Sequence, residues 1–288
     1  MRVVRTSAEA AFRADRWRAA GLSTGFVPTM GALHEGHAKL LRVARGECDR
    51  VSASIFVNPT QFAQGEDLGK YPRTQEKDLE TCARAGVDFV FVAEAHDIYP
   101  EGFQTWVTVE ELTQPLCGRS RPGHFRGVTT VVAALLSIVR PHRAYFGLKD
   151  YQQARVIERM VRDLHLGTEI RPVETVREPD GLAMSSRNAY LDPAARGVAP
   201  RIHRALSAAR EAVLRGETRV SEIRGILARA LAPGEDLEIE YADVRSAATL
   251  EEFSDGKARR SPDGILLAVA ARVGGTRLID NVVVPAES

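Results

Sequence analysis

The sequence has few cysteines and no long apolar run. Cys48, Cys82 and Cys117 are far apart, odd in number and form no CxxC pair, which favours reduced thiols over disulfides or a zinc site. The apolar stretch 128–139 ends at Arg140 and falls short of the roughly 18 residues that a membrane helix needs. The N-terminal residues contain no apolar core of a signal peptide. These absences predict a cytosolic protein with no membrane contact.

An excess of charge of one sign is also lacking. The chain has 39 Lys and Arg against 38 Asp and Glu, so its formal net charge is only +1. No whole-molecule field would draw it to nucleic acid, and we expect no nucleic-acid partner. Lysine itself is scarce: only Lys39, Lys70, Lys77, Lys149 and Lys257 are present. A lysine next to a candidate site is therefore of interest.

The order of apolar segments predicts an α/β fold in which helices flank a parallel sheet. At 288 residues, the chain is long enough for one large domain or two unequal ones. Short strand-like runs alternate with helical patterns over the first 175 residues. We expect strands at 25–28, 51–57, 87–92 and 143–146, and helices at 7–20, 36–48, 74–85, 128–139 and 150–164. Helix caps are expected at Ser7, Thr74 and Asp150, with Gly21 and Gly86 just past C-termini.

The pattern changes after about residue 175. Two helices at 193–215 and 220–231 precede strand-like runs at 237–244, 264–271 and 276–279, which predicts a smaller C-terminal α+β domain. The expected domains are therefore 1–175 and 176–288. Two long connections, 58–73 and 94–127, contain Pro, Gly and aromatic residues, and long connections in compact domains are usually functional or disordered.

The strongest candidate site is a strand, a glycine turn and a helix start at 26–37. Backbone N–H groups at such a helix N-terminus attract phosphates, and Gly31 and Gly36 allow a close approach. His34 and His37 fall on one side of the first helical turn, from which both imidazoles could reach phosphate oxygens. The alternatives are an HxxH zinc pair, which lacks a third ligand, and imidazoles that cap backbone groups.

Four further segments carry chemistry of interest. Lys149 stands at a strand end as a point charge for a phosphate. Ser185, Ser186 and Arg187 follow a glycine turn and could close over a triphosphate, although their composition is also that of an ordinary loop. Amides at 58 and 61 suit a small polar acid. The arginines of 118–127 could clamp anions or could simply be solvated.

In order, these segments resemble the pantothenate synthetase family. The matching stretches are VPTMGALHEGH, SIFVNPTQF, YPRT, SRPGHFRGV, FGLKDYQQ, DGLAMSSRN and TRLIDN, which span most of residues 26–281. The resemblance implies a Rossmann-like nucleotidyltransferase domain related to class I aminoacyl-tRNA synthetases. It also implies a smaller C-terminal domain that closes the site, and a homodimer.

The family's reaction condenses pantoate with β-alanine on the route to coenzyme A. Pantoate attacks the α-phosphorus of Mg-ATP to give pantoyl adenylate and pyrophosphate, and β-alanine then displaces AMP. The chain is therefore expected to be an ATP-dependent ligase that forms a C–N bond. Because the substrate carboxylate is the nucleophile, the protein need only align it and spread the developing phosphate charge.

The resemblance also implies the site residues. ATP-binding residues are expected at Met30, Gly31, Ala32, Leu33, His34, Glu35, Gly36, His37, Gly147, Leu148, Lys149, Asp150, Val176, Met184, Ser185, Ser186 and Arg187. Gln61 and Gln153 match the glutamines that hold pantoate, and Gln61 also lies near the β-alanine entry. The expected catalytic, charge-stabilising group is His34, His37, Lys149, Ser185, Ser186 and Arg187. His37 matches the general-acid position, but an imidazolium that stabilises the pentavalent phosphorus is an equal alternative.

One residue departs from the family pattern: Leu148 replaces the usual Glu or Gln before the Lys-Asp pair. Mg²⁺ is expected mainly on ATP oxygens, with no protein metal site and with Asp78 as a candidate indirect ligand. Two rival functions stay open. One is another adenylate-forming enzyme or cytidylyltransferase on the same fold, which a substrate panel would detect. The other is a non-catalytic nucleotide-binding module, which would bind ATP without turnover.

Overall fold

The structure is a computed structural model that describes residues 1–62, 67–232, 234–254, 256–258 and 264–286. The chain divides into two compact units. The first comprises Met1–Glu110, Arg121–Leu148 and Gln153–Val176, and the second comprises Glu111–Ser120, Lys149–Gln152 and Arg177–Ser288. Two short segments from the first 175 residues thus belong to the second unit. The domain limits 1–175 and 176–288 stay a prediction.

Nine strands and ten α-helices are found in the described part of the chain. The strands are β1 (Arg2–Val4), β2 (Thr24–Thr29), β3 (Arg50–Ile55), β4 (Phe89–Val92), β5 (Arg143–Gly147), β6 (Glu169–Val173), β7 (Leu237–Ser246), β8 (Ile265–Val273) and β9 (Thr276–Val284). The helices are α1 (Ser7–Ala19), α2 (Glu35–Glu47), α3 (Gln75–Arg84), α4 (Ala95–Ile98), α5 (Cys117–Ser120), α6 (His124–Val139), α7 (Tyr151–Asp163), α8 (Pro193–Val198), α9 (Arg201–Leu214) and α10 (Val220–Leu231). None of the helices in the described residues has the length and apolar character that spanning a membrane requires.

The first unit is built on a six-stranded sheet in the order β1-β4-β3-β2-β5-β6, and every neighbouring pair is parallel. Alternate residues of a strand face opposite sides of the sheet. On one side, Val90 shares a buried cluster with Leu41 of α2. On the other, the ring of Phe89 stacks on Trp17 of α1 at 5.0 Å between centroids. Helices therefore flank both faces, which confirms the predicted α/β sheet.

The second unit contains an antiparallel sheet in the order β7-β8-β9. Seven consecutive residues of β8, from Ile265 to Ala271, are buried. Their side chains share a core with α9 and α10, whose buried faces include Leu206 and Leu227. Since apolar burial drives folding, this core supports the unit, and the small C-terminal α+β part predicted from the sequence is confirmed.

Glycine ends two helices as predicted. After α1, Gly21 adopts φ +71°, its N–H donates to the carbonyl of Arg18, and the N–H of Leu22 donates to Trp17. Gly86 ends α3 with the same pair of bonds at φ +77°. Only glycine enters this left-handed region without strain, which is why the pattern is readable from sequence.

Two sequence expectations on helix ends were wrong, and a third was confirmed only in its position. The N-cap of α1 is Thr6, whose hydroxyl accepts from the N–H of Glu9 at 3.2 Å, and Ser7 is already helical. Thr74 occupies the N-cap position of α3 but makes no side-chain cap bond. The helix expected at 193–215 is two helices, α8 and α9, because Pro200 lacks an N–H and clashes with the preceding turn.

Two strands were missed by the sequence analysis. β1 has only three residues, and β6 contains Pro172. Both are edge strands of the parallel sheet, where a short length and a proline are tolerated. Residues 63–66 of the long connection 58–73 lie outside the described part of the chain.

Candidate active site

The sheet of the first unit has a topological switch point between β2 and β5. From β2 the chain continues through β3 to β4 on one side, and from β5 it continues to β6 on the other. Ligands of open α/β sheets bind outside the carboxyl ends of the strands at such a point. Met30 follows β2 and Leu148 follows β5, so these two strand ends mark the candidate site.

A strained turn follows β2. Gly31 has φ +81° and Ala32 has φ +51°, a left-handed conformation that an alanine rarely adopts. The carboxylate of Asp78 holds this turn: Oδ2 accepts from the N–H of Ala32 at 3.0 Å and Oδ1 accepts from Leu33 at 2.8 Å. The hydroxyl of Thr74 donates to Oδ1 at 3.1 Å, and Asp78 is only 1% exposed. A buried carboxylate with three donors therefore fixes the backbone that leads to His34.

His34 and His37 together cap the start of α2. Nδ1 of His34 accepts from the N–H of Gly36 at 3.1 Å, and Nδ1 of His37 accepts from the N–H of His34 at 3.3 Å. Their ring centroids lie 4.2 Å apart. A Cβ on Gly36 would come within 2.8 Å of the His34 ring, so a larger residue there would displace this imidazole.

These caps set the tautomers of the two imidazoles. Because each Nδ1 accepts a hydrogen bond, the proton of each neutral ring lies on Nε2, which makes Nε2 a donor. The capping alternative raised from the sequence is thus correct for Nδ1, and it leaves the chemistry of Nε2 compatible with phosphate binding. The described residues contain no group of three His, Cys, Asp or Glu side chains that could hold a metal ion.

Gln61 lies beside Met30 in the first unit. Its Nε2 donates to the thioether sulfur of Met30 at 2.9 Å, and its Oε1 accepts from the side chain of Asn58 at 3.1 Å. Asn58 is 1% exposed and also accepts from the hydroxyl of Tyr99 at 2.7 Å. Burial raises the pKa of Tyr99 above its ordinary value, so this hydroxyl stays protonated and donates. The amide of Gln61 is therefore oriented by a buried network.

The arginine-rich loop also serves Gln61. Nδ1 of His124 donates to the carbonyl oxygen of Gln61 at 2.8 Å, and Arg121 donates to the same oxygen at 3.2 Å. Gly127, on α6, lies so close to the backbone of Thr60 that a Cβ would be 2.4 Å from its carbonyl oxygen. Arg121 and the start of α6 thus support the backbone of Gln61, a role that composition alone did not indicate.

In the second unit, Lys149 and Ser185 line one small cavity. Its volume is about 10 Å³, room for roughly one water, and its walls include Asn188 and Asp280. The ammonium of Lys149 lies 3.5 Å from Asp150. The hydroxyl of Ser185 accepts from the N–H of Arg187 at 3.3 Å and so caps the short 3-10 helix Ser186–Tyr190. This unit therefore brings together two segments predicted to bind phosphate.

The remaining predicted site residues fall in both units. The first unit holds Gly147 and Leu148 at the end of β5, Gln153 on α7, and Val176. The second unit holds Asp150, Met184 and Ser186. The structure thus places His34, His37 and Gln61 in the first unit, and it brings Lys149 and Ser185 to the wall of one cavity in the second.

Comparison with known families identifies the chain. The family model for pantoate-beta-alanine ligase matches residues 2–283, nearly the whole sequence. The chain belongs to the pantoate-beta-alanine ligase family. Relatives named pantothenate synthetase include one from Syntrophobacter fumaroxidans, 52% identical with 98% of each chain covered. Another, from Geobacter sulfurreducens, is 50% identical with both chains covered in full.

Solved structures agree with this family assignment. A pantothenate synthetase from Thermus thermophilus superposes with a TM-score of 0.90 at 46% identity, covering 99% of this chain and 100% of its own. A pantoate-beta-alanine ligase from Francisella tularensis has a TM-score of 0.79 at 32% identity, covering 98% of this chain and 97% of its own. The latter was solved in complex with beta-gamma ATP and beta-alanine.

Sequence reasoning on this pantoate-beta-alanine ligase family member missed residues that hold the site. Asp78 was considered only as an indirect magnesium ligand, whereas its oxygens bind the backbone of the turn after β2. Asp280 and Asn281 lie in the family stretch TRLIDN but received no role. Their contacts with Arg177 and Lys149 span 103 and 132 positions, so no local pattern reveals them.

Proposed function

We propose that this chain condenses pantoate with β-alanine, with ATP as the energy source, to give pantothenate, AMP and pyrophosphate. The observation that carries the proposal is the histidine pair at the switch point. His34 and His37 cap α2 through Nδ1, so each neutral ring has a donor at Nε2, and the backbone N–H groups of the helix start add positive potential. Membership of the pantoate-beta-alanine ligase family supports the choice of substrates.

In the first half-reaction, a carboxylate oxygen of pantoate attacks the α-phosphorus of ATP. A new P–O bond forms, the bond to the β-phosphate breaks, and pyrophosphate leaves with the electron pair. The residues that the family resemblance assigns to stabilise charge on the phosphates are His34, His37, Lys149, Ser185, Ser186 and Arg187. Gln61 and Gln153 hold pantoate in line for the attack. Mg²⁺ arrives on the ATP oxygens as part of the substrate.

In the second half-reaction, the amine of β-alanine attacks the acyl carbon of pantoyl adenylate. The C–N bond forms, the bond between the acyl carbon and the AMP oxygen breaks, and the amine loses a proton. We assign Gln61 a role in this step too, and its contacts support the assignment: Asn58 fixes its carboxamide and His124 fixes its backbone. A fixed amide favours alignment of two small substrates over a covalent enzyme intermediate.

Pantoate-dependent exchange of labelled pyrophosphate into ATP, measured without β-alanine, tests the first half-reaction alone. We expect exchange that requires pantoate, and product formation only when β-alanine is added. A reaction without pantoate is the matched control. A folded sample that binds ATP but shows no exchange would reject the adenylate mechanism.

We also propose that the protein is a cytosolic homodimer. The proposal follows from the family resemblance and from the scarcity of apolar runs in the sequence. Sedimentation equilibrium of the purified chain measures its state directly. A mass near twice 31.5 kDa supports the dimer, and a mass of 31.5 kDa at micromolar concentration contradicts it.

A further inference from the structure

We propose that Asn281 is a positioning residue for the reaction: its side chain holds the backbone of Lys149, and with it the ammonium that meets the phosphates. The inference rests on the proposed function, in which Lys149 stabilises phosphate charge. It gives a role to the C-terminal stretch TRLIDN, which contains none of the site residues proposed above.

The contact itself is direct. The side-chain Nδ2 of Asn281 donates to the carbonyl oxygen of Lys149 at 2.8 Å, across 132 positions of sequence. Both residues belong to the second unit. Lys149 lies in the short 3-10 helix Leu148–Asp150, which joins β5 directly to α7. The bond to its carbonyl oxygen adds a contact between this connection and β9, which is distant in sequence.

Asn281 is itself held in place. It lies on β9, where its backbone pairs with Ala268 of the central strand β8. Its N–H donates to Oδ1 of Asp280 at 2.8 Å. The strand supplies a rigid base, so the carboxamide can orient a turn that is distant in sequence.

Asp280, the residue before Asn281, holds the segment that leads to Ser185, which is also predicted to bind phosphate. Asp280, only 4% exposed, pairs with both terminal nitrogens of Arg177 at 2.6 and 3.0 Å. Arg177 in turn donates to the carbonyl of Gly181 at 3.1 Å and forms an antiparallel bridge with Ala183. This segment leads directly to Ser185.

Two adjacent residues of β9 thus hold two segments that are far apart in sequence. Lys149, Ser185 and Asp280 line one cavity in this unit. A purely structural function would predict equal losses of stability and activity on substitution. A positioning function predicts that Asn281 acts on the reaction only through the lysine side chain.

A double-mutant cycle separates the two functions. Asn281→Asp has nearly the same shape but replaces the amide donor with a carboxylate, which cannot donate to the Lys149 carbonyl. We expect the rate of pyrophosphate exchange to fall about tenfold with a smaller change in KM for ATP, as for loss of one hydrogen bond that acts in the transition state. In a Lys149→Ala background the same substitution should change the residual rate less than about twofold, because the positioned group is gone.

Val282→Ala is the matched control. Val282 lies on the same strand and packs on the core of the second unit, so its truncation destabilises β9 without touching the bond to Lys149. It should lower the unfolding midpoint at least as much as Asn281→Asp while keeping the exchange rate. Asn281→Gln, which retains an amide donor on a longer side chain, should recover part of the rate.

Two results would overturn the inference: wild-type exchange by Asn281→Asp, or equal losses in the two lysine backgrounds. If the unmodified protein shows no exchange at all, the proposed function fails instead. Amide hydrogen–deuterium exchange of residues 147–152 then tests the contact alone. Faster exchange in Asn281→Asp than in Val282→Ala supports it, and equal exchange overturns it.

Discussion

The two units hold their candidate catalytic groups in different ways. In the first unit, the buried carboxylate of Asp78 fixes the turn before His34, and the histidines then cap their own helix. In the second unit, Lys149 and the segment before Ser185 are held by side chains of β9. The first arrangement depends on a buried carboxylate and a helix cap beside the histidines, whereas the second depends on two adjacent side chains of one strand. We therefore expect stability and activity to change together in the first unit and separately in the second.

The largest effect is expected for Lys149→Ala in the second unit. Loss of the ammonium should slow pyrophosphate exchange by about 10² to 10³-fold, as for removal of one preorganised charge donor, with little change in the free energy of unfolding. Lys77→Ala, at an exposed position on α3, is the control and should retain the wild-type rate. A Lys149→Ala enzyme with full turnover would remove this lysine from the mechanism.

Asp78→Ala tests whether stability and activity change together in the first unit. The N–H groups of Ala32 and Leu33 would lose their acceptor, at a cost of about 3 kcal/mol in the free energy of unfolding, and exchange activity should fall as well. Urea unfolding and the exchange assay measure the two losses. Glu80→Ala removes an exposed ion pair on the same helix and should cost less than about 0.5 kcal/mol. If Asp78→Ala lost activity but no stability, the contrast between the units would not hold.

Gly127→Ala examines the support of Gln61. The added Cβ would stand 2.4 Å from the carbonyl oxygen of Thr60, so overpacking should destabilise the protein by about 2 kcal/mol despite the better helix propensity of alanine. Gly46→Ala is the matched control: it lies exposed on α2 with open space around it, and it should gain about 0.5 kcal/mol. Two glycine substitutions in helices of one unit thus have opposite expected signs, which thermal unfolding can resolve.

Features that depend on residues close in sequence were predicted, whereas contacts between residues far apart in sequence were not. The turn after β2 and the glycine ends of α1 and α3 depend on neighbouring residues, so their signals are local and were read correctly. Pro200 was visible too, yet one helix was predicted across it at 193–215. The contact of Asp78 with the turn spans 46 positions and that of Asn281 with Lys149 spans 132. No residue spacing predicts such contacts, because they depend on how separate elements pack.

The smallest expected effect is a pH dependence in the second unit. Burial and the nearby Arg177 lower the pKa of His203 below its ordinary value of 6.5, against an opposing effect of Asp280. Nδ1 of His203 lies 3.9 Å from Asp280 and is buried without a hydrogen-bond partner among the described residues, which favours the neutral ring. Because the pKa of His203 is lowered in the folded state, the unfolded chain takes up a proton at a higher pH than the folded protein does. The stability that the neutral ring contributes is therefore fully present above pH 6.5 and is lost as the pH falls through the lowered value.

His203→Gln should flatten this dependence. Between pH 7.5 and 5.5, the wild-type free energy of unfolding should decrease more than that of the variant, because glutamine takes up no proton. Chemical denaturation at several pH values measures both curves. His96→Gln is the control, since His96 is exposed beside Glu94 in the first unit and its removal should leave the decrease in place. Parallel curves for His203→Gln and the wild type would contradict the prediction. They would show that protonation of this imidazole, beside Asp280, does not lower the free energy of unfolding.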